Sequence, residues 1–304
     1  MVNHPQRYKV GLVLRPGVKE ALPYLAKVSK WCSEHSFELL FDAGCHKNDV
    51  DKLNLGLFSN VSSAEMVAQA DIIVSLGGDG TFIGVARLIT GFSPAMLGVN
   101  FGKLGFLTEI APSELISVLD AVINNNAVIG ERSMLTATVL RGGDVVATSQ
   151  ALNEVGIMKG VKSTIPNFTI DVSGQMVMAF RGDGVLIATP TGSTAYSLSA
   201  GGSIVHPDLD VVIVTPLCPH SLTVRPIVLP AKEQINVNLN DYDDKAYAVI
   251  DGHMLLTLEH GDIISVSPSP YSVRLVRSPS LSYFAILREK LNWGLANRER
   301  PIPS

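Results

Sequence analysis

"DIIVSLGGDGTF", residues 71–82, joins a short apolar run to a glycine turn that carries one acid. The first six residues are too few for a helix and too uniformly apolar for a half-exposed strand. They read as a strand buried on both faces, as parallel sheets require. In such sheets ligands gather beyond the carboxyl ends of the strands, often at a helix N-terminus. "TFIGVARLI" (81–89) is expected to be that helix, with Thr81 as its cap. Gly77, Gly78 and Gly80 allow backbone conformations and close approaches that a Cβ would block. Together with Thr81 they are candidate phosphate-binding positions. The turn is neither common nucleotide loop. Counted from Gly78, the third glycine of G-x-G-x-x-G falls on Ile83, and no Gly-Lys-Ser/Thr follows.

Asp79 would repel a phosphate held by those glycines, so another task is needed for it. A carboxylate beside phosphate-binding amides can take a proton from an attacking hydroxyl or help hold a divalent cation. Both belong to phosphoryl transfer. The plain alternative is a tight turn with Asp79 as a helix cap.

Working outward, the first 130 residues alternate two periods. "KVGLVLR" (9–15), "FELLFD" (37–42) and "AMLGVN" (95–100) read as strands. Val18, Leu22, Leu25, Val28 and Trp31 or Cys32 recur at helical spacing, and "PSELISVLDAVINN" (112–125) is a further helix. This grammar predicts a Rossmann-like parallel sheet with helices on both faces. After residue 131 short strands dominate, punctuated by Gly, Pro, Asn and Asp, which predicts a β-rich, sandwich-like domain. "LSYFAILREKLNWG" (281–294) returns to helical spacing, with Phe284, Leu287 and Leu291 on one side. The expected division is an α/β domain of residues 1–131, completed by a returning C-terminal helix in 280–304, and a β-rich domain of residues 132–279.

Composition narrows the function. Of the 304 residues, 46% are hydrophobic and 17% charged, the formal net charge is −4, and no basic run occurs. Nucleic acid is therefore an unsuitable partner. No stretch approaches the roughly 18 to 20 apolar residues of a membrane span, and the start lacks a signal peptide's apolar stretch. Cys32, Cys45 and Cys218 show no metal-ligand spacing, which suits reduced thiols and a cytoplasmic location. An anionic substrate gains nothing from overall charge and must be held by local donors or a metal ion.

"TPTGSTAYSLSAGG" (189–202) packs many N–H and O–H donors into little space, with Tyr196 able to stack on a ring. A Ser/Gly loop leading into a helix is the plain alternative. In "LNEVGI" (152–157) Asn153 can donate to and accept from an adenine edge, and Glu154 can accept from ribose hydroxyls. A turn at the end of a hairpin explains the pair equally.

Taken together, "GGDGT" (77–81), "NFGKLGFL" (100–107), "NE" (153–154), "RGDG" (181–184), "TPTGSTAYSLSAGG" and "HSLTVRPIVLP" (220–230) resemble the NAD kinases, in the same order, over roughly residues 9 to 290. "GGDGT" alone also occurs in diacylglycerol and sphingosine kinases, which lack the downstream pair. The resemblance implies ATP-dependent phosphorylation of the 2′-hydroxyl of NAD's adenosine ribose, giving NADP. It also implies a divalent cation, Mg²⁺ or Mn²⁺, and a homodimer or homotetramer. It makes Asp79 the proton acceptor with Gly80 beside it, and places Phe106 near the nucleotide. Asn153 and Glu154 would hold the adenosine. The pocket would be lined by Thr191, Thr194, Ala195, Tyr196, Ser197, Leu198 and Ser199. Arg181 and Asp183 match dinucleotide contacts that sometimes cross a subunit boundary. His253 and Thr164 stand at further contact positions, and Lys103 at a phosphate contact or a solvated loop position. Two other readings remain: a lipid kinase sharing the glycine turn, and a non-catalytic NADP sensor.

Overall fold

A computed structural model describes residues 8–15, 17–42, 58–91, 93–102, 104–161, 164–240 and 245–293. The expectations for Cys45 and Lys103 lie outside these residues. The chain folds as two compact units, Met1–Gly130 with Arg274–Ser304, and Glu131–Val273.

In the first unit β1 (Lys9–Leu14), β2 (Glu38–Asp42), β3 (Phe58–Val61), β4 (Ile72–Leu76) and β5 (Ala95–Val99) form a parallel sheet in the order β3-β2-β1-β4-β5. β4 and β5 are buried at every position, as the continuous apolar runs require. Alternate strand residues, among them Leu12, Phe41, Val74 and Leu97, pack with α1 (Leu22–Glu34) and α4 (Leu115–Ile123) through Leu25, Val28, Trp31, Leu115 and Leu119. The Trp31 indole N–H donates to Asp120 at 2.7 Å and ties the two helices. α2 (Ser63–Gln69) seats Met66 where a Cβ on Gly11 would lie. β3 and α2 were not anticipated. Their sequence signal is the capping box of Ser62 and Glu65, which is formed.

α3 spans Asp79–Ala86, starting before the expected Thr81 and ending before residue 89. In the last helix, α6 (Tyr283–Leu291), Ile286 and Leu287 are buried while Phe284 is 60% exposed. The expected Phe284 stripe is thus offset by part of a turn.

The second unit holds a six-stranded antiparallel sheet in the order β13 (Ile227–Pro230), β12 (Val211–Leu217), β11 (Gly184–Ala188), β8 (Glu154–Lys159), β15 (Ala246–Ile250), β16 (His253–Leu258). A second layer contains β9 (Asn167–Val172), β10 (Gln175–Arg181), β14 (Ile235–Asn240) and β17 (Ile263–Val276), with the hairpin β6 (Ile129–Arg141)–β7 (Asp144–Ala151). Side chains from both layers, including Val139, Ile157, Phe168, Val185, Val214 and Ile264, form one core. This is the sandwich that alternating strands predict.

β17 ends in the first unit, where Arg274 and Leu275 pair in parallel with Ala95 and Met96. Arg277 follows. Its Nε donates to both oxygens of Glu109, at 2.8 and 3.0 Å, and Glu109 is 2% exposed. Arg277→Leu would strand that carboxylate in the interior. The expected loss of stability is about 3–5 kcal/mol, measured by urea denaturation; a loss below about 1 kcal/mol, the scale of a surface pair, would contradict it.

Candidate active site

β4 ends at Leu76 and the glycine turn begins. A Cβ on Gly77 would meet Thr81 Oγ1 at 2.7 Å and the Arg15 Cβ at 2.8 Å, so only glycine fits there. Gly78 is the helix N-cap, with φ −96° and ψ −177°, an extended conformation open to any residue. A Cβ on Gly78 or Gly80 would meet nothing within 4 Å. The chain's own packing does not demand glycine at those two positions, where a side chain would meet open space.

The helix starts at Asp79, so Thr81 lies in its first turn and does not cap it. Residue type favours threonine at a cap, but the extended Gly78 occupies that place. The N–H of Gly77 donates to the Val99 carbonyl and that of Thr81 to the Gly78 carbonyl, both at 3.0 Å. Those two amides are therefore committed within the chain. The amides of Gly78, Asp79 and Gly80 belong to the helix start, where N–H groups have no intrahelical acceptor.

Asp79 is held from across the turn. Its Oδ2 accepts the Phe106 N–H at 2.9 Å. Its Oδ1 accepts the N–H groups of Leu107 and Thr108 at 3.1 and 3.0 Å, and the Thr108 hydroxyl at 2.9 Å. Two glycines make this possible. A Cβ on Gly105 would overlap Asp79 Oδ1 and Thr108 Oγ1. On Gly98 a Cβ would meet the Leu107 carbonyl oxygen at 2.6 Å and Thr108 Cα at 2.8 Å, so glycine in β5 lets the loop lie against the strand. Asn100 adds a bond from Nδ2 to the Thr108 carbonyl at 3.1 Å. Lys290 of α6 stands over the Phe106 ring, 5.5 Å from its centroid.

Beside the turn lies a cavity of about 360 Å³, lined by Arg15, Gly17, Gly77, Gly78, Asn100, Phe101 and Gly102 among others. Arg15 and the helix start suit an anionic, phosphate-bearing ligand, while Glu20 in the same lining opposes one beside it, and Val18 and Phe101 supply apolar wall. Arg15 was not foreseen. It lies at the end of β1, and only the sheet order sets that strand beside β4.

In the second unit Asn153 and Glu154 form a corner at the start of β8. Asp251 closes it, its carboxylate accepting the N–H groups of Leu152, Asn153 and Glu154 at 3.0, 2.8 and 3.0 Å. Asp251 has φ +47°, in the turn joining β15 to β16. On the other side, the Thr189 hydroxyl donates to the Leu152 carbonyl at 2.6 Å, and a Cβ on Gly192 would overlap the Asn153 backbone. The "NE" and "TPTGSTAY" segments are therefore one packed structure. Among the described residues, buried side-chain oxygens lacking a partner include Glu154 Oε2 and Thr191 Oγ1. Such atoms are costly unless a ligand or water completes them.

Asp183, Tyr196 and Ser199 line a separate cavity of about 590 Å³ with Lys159 and Cys218. Tyr196 is 45% exposed, and Lys159 pairs with Asp183 at 3.3 Å. Thr194, Ala195 and Leu198 are half-buried around the short helix α5 (Tyr196–Ser199), while Ser197 is turned inward to bond Thr215 at 2.9 Å. Arg181, Thr164 and His253 are exposed. No group of three or more His, Cys, Asp or Glu among the described residues is arranged to hold a metal ion.

Residues 10–127 match the family described as ATP-NAD kinase N-terminal domain, and residues 152–278 the ATP-NAD kinase C-terminal domain. The NAD kinase of Geobacter metallireducens is 46% identical over 78% of this chain and 83% of its own. That of Acidobacterium capsulatum is 36% identical over 94% of this chain and 99% of its own. Among solved structures, yeast NADH kinase complexed with NADH superposes with a TM-score of 0.86 at 24% identity, covering 96% of this chain and 89% of the other. The fold is shared.

Burial, then the Asp251 charge, push the Glu154 carboxyl up from the ordinary 4.5 to about 7, against a Tyr196 N–H that holds it down. Below pH 4.5 both folded and unfolded chains are protonated there. Between 4.5 and 7 the folded chain keeps a proton that the unfolded chain releases, so stability falls as pH rises, and above 7 the cost is constant. Glu154→Gln is expected to gain about 3 kcal/mol near pH 8, to order of magnitude, and almost nothing near pH 4.5. Urea denaturation at the two pH values checks this; an equal change at both would contradict it.

Proposed function

We infer the function from one premise: this chain belongs to the NAD kinase family. Its reaction is transfer of the γ-phosphoryl group of ATP to the 2′-hydroxyl of NAD's adenosine ribose, giving NADP and ADP. The observation that carries this reading is the Asp79 carboxylate, fixed by four donors at the start of α3, next in the chain to Gly77 and Gly78, which line an open cavity with Arg15. Asp79 takes the hydroxyl proton as the oxygen bonds to phosphorus, and the bond to ADP breaks with its electron pair. Transfer is direct, with no covalent enzyme intermediate.

The cavity of Arg15, Gly77 and Gly78 takes the donor phosphates in this reading, with the amides of Gly78 and Gly80 turned to them. Glu154 Oε2 and Thr191 Oγ1, left without partners in the chain, accept and donate to the adenosine together with Asn153. Tyr196, Ser199 and Asp183 serve the remainder of the dinucleotide, with Thr194, Ala195 and Leu198 around them. In this reading a divalent cation is carried by the donor's phosphates and water. Such an ion supplies charge neutralisation at the phosphates.

Arg181, exposed on β10, suits the family's use of that position across a subunit boundary, hence a homodimer or homotetramer. A cytoplasmic location rests on the cysteines: Cys32 is buried, with its thiol pushed up to about 12 by that burial, and needs no oxidising compartment. The lipid-kinase reading accounts for the glycine turn but not for the C-terminal domain match. A sensor would have no use for the clamp on Asp79.

Incubation with ATP, Mg²⁺ and NAD is expected to yield NADP, and its absence across phosphoryl donors and metals would reject the reading. Asp79→Asn is expected to lower turnover at least about a hundredfold while NAD still binds. Near-normal turnover in that variant would remove the general base.

A further inference from the structure

We propose that Thr108 is a positioning residue that decides which oxygen of Asp79 receives the substrate proton: by bonding Oδ1 twice, it leaves Oδ2 as the base. The proposal rests on the general-base reading of Asp79 and names the atom that performs it. The two carboxylate oxygens are unequally engaged. Among the described residues, Oδ1 accepts from Leu107 N–H, Thr108 N–H and the Thr108 hydroxyl, at 3.1, 3.0 and 2.9 Å, whereas Oδ2 accepts only from Phe106 N–H at 2.9 Å. An ionised carboxylate offers about four lone-pair sites, two on each oxygen. Oδ1 is fully subscribed and Oδ2 has one direction left.

The hydroxyl of Thr108 must be the donor, because an ionised carboxylate only accepts. The residue is 0% exposed, so the hydroxyl has no route to bulk water. Its backbone is set by β5, where only glycine at position 98 leaves room for it. Proton transfer then preserves the whole arrangement. As the ribose O–H bond breaks, its proton bonds to Oδ2, its oxygen bonds to the γ-phosphorus, and the bond to ADP breaks. The resulting carboxylic acid keeps Oδ1 as its carbonyl oxygen, which remains an acceptor for all three donors. Protonation on Oδ1 would instead set an acidic O–H against three donor groups. Among the described residues, the charged side chains near this turn include Arg15, whose Cβ adjoins Gly77, Glu20 in the adjoining cavity, Glu109, tied to Arg277, and Lys290, over the Phe106 ring. None of these is ion-paired with Asp79.

The test compares Thr108→Val, which removes the hydroxyl, with Thr108→Ser, which keeps it, by steady-state kinetics with NAD and ATP across pH. Thr108→Val is expected to lower kcat about tenfold, with KM for NAD changed less than about threefold. The acid limb of its kcat profile should move up by about one pH unit, because one donor to the anion is gone. Thr108→Ser should return both kcat and the profile to wild type. If the valine variant does not fold, Thr108→Ala carries the same expectation. A wild-type profile in the hydroxyl-free variant, or a serine variant that fails to restore it, overturns the proposal. The outcomes separate it from the underlying reading. Normal turnover in Asp79→Asn defeats the general base itself, whereas an inactive Asp79→Asn with an unmoved valine profile defeats only the role of Thr108.

Discussion

A carboxylate closed round by consecutive backbone amides is the interaction on which the first unit's site depends. Asp79 sits at the start of α3, where the helix's unpaired N–H groups and its dipole favour negative charge. Three successive N–H groups of the Phe106–Thr108 segment, with the Thr108 hydroxyl, then hold the side chain from outside the helix. That embrace explains how an acid can lie in a turn that, in the proposed function, also faces phosphate. Its charge is directed at the loop and at one open lone pair. Glycines at 98 and 105 are the steric condition for it, since a Cβ at 105 would occupy the space of Asp79 Oδ1 and the Thr108 hydroxyl, and one at 98 would press on the Leu107 carbonyl and Thr108 Cα.

The second unit repeats the device with a different purpose. Asp251 collects the amides of Leu152, Asn153 and Glu154, and Gly192 lets the following turn lie against Asn153. Here the clamped acid does no chemistry in this account. It fixes the backbone so that a second carboxylate, Glu154, is presented buried and with one oxygen unmet. Burial and the charge of Asp251 raise the affinity of Glu154 for protons, a cost that a rigid corner sustains and a flexible loop would relax. Both units thus use a strained or crowded turn to make an ordinary acidic residue specific.

The sequence makes the architecture legible because buried parallel strands and exposed-edge β layers have different hydrophobic periods. The runs at 72–76 and 95–99 are buried at each position, with Ser75 the one polar side chain, whereas strands such as Asn167–Val172 and Ala246–Ile250 alternate. The site is legible only in part. Asp79, Asn153, Glu154 and Tyr196 stand out as polar or aromatic groups in glycine- and hydroxyl-rich turns. Thr108, Gly105, Arg15 and Asp251 do not, because their partners lie tens of residues away in the chain and local periodicity is blind to such distances. Asp251 reads locally as an Asp-Gly hairpin turn, and its long-range bonds appear only once β15 is paired beside β8. The helix start was misplaced for a related reason: Thr81 has the right chemistry for a cap, but backbone geometry gave that position to Gly78.

The most direct measurement is a crystal structure with NAD and a non-hydrolysable ATP analogue bound. The account predicts the ribose 2′-oxygen within hydrogen-bonding reach of Asp79 Oδ2, roughly 2.6–3.2 Å, with the Phe106–Thr108 bonds to the carboxylate still made. A 2′-oxygen far from either carboxylate oxygen, with no bridging water, would contradict it.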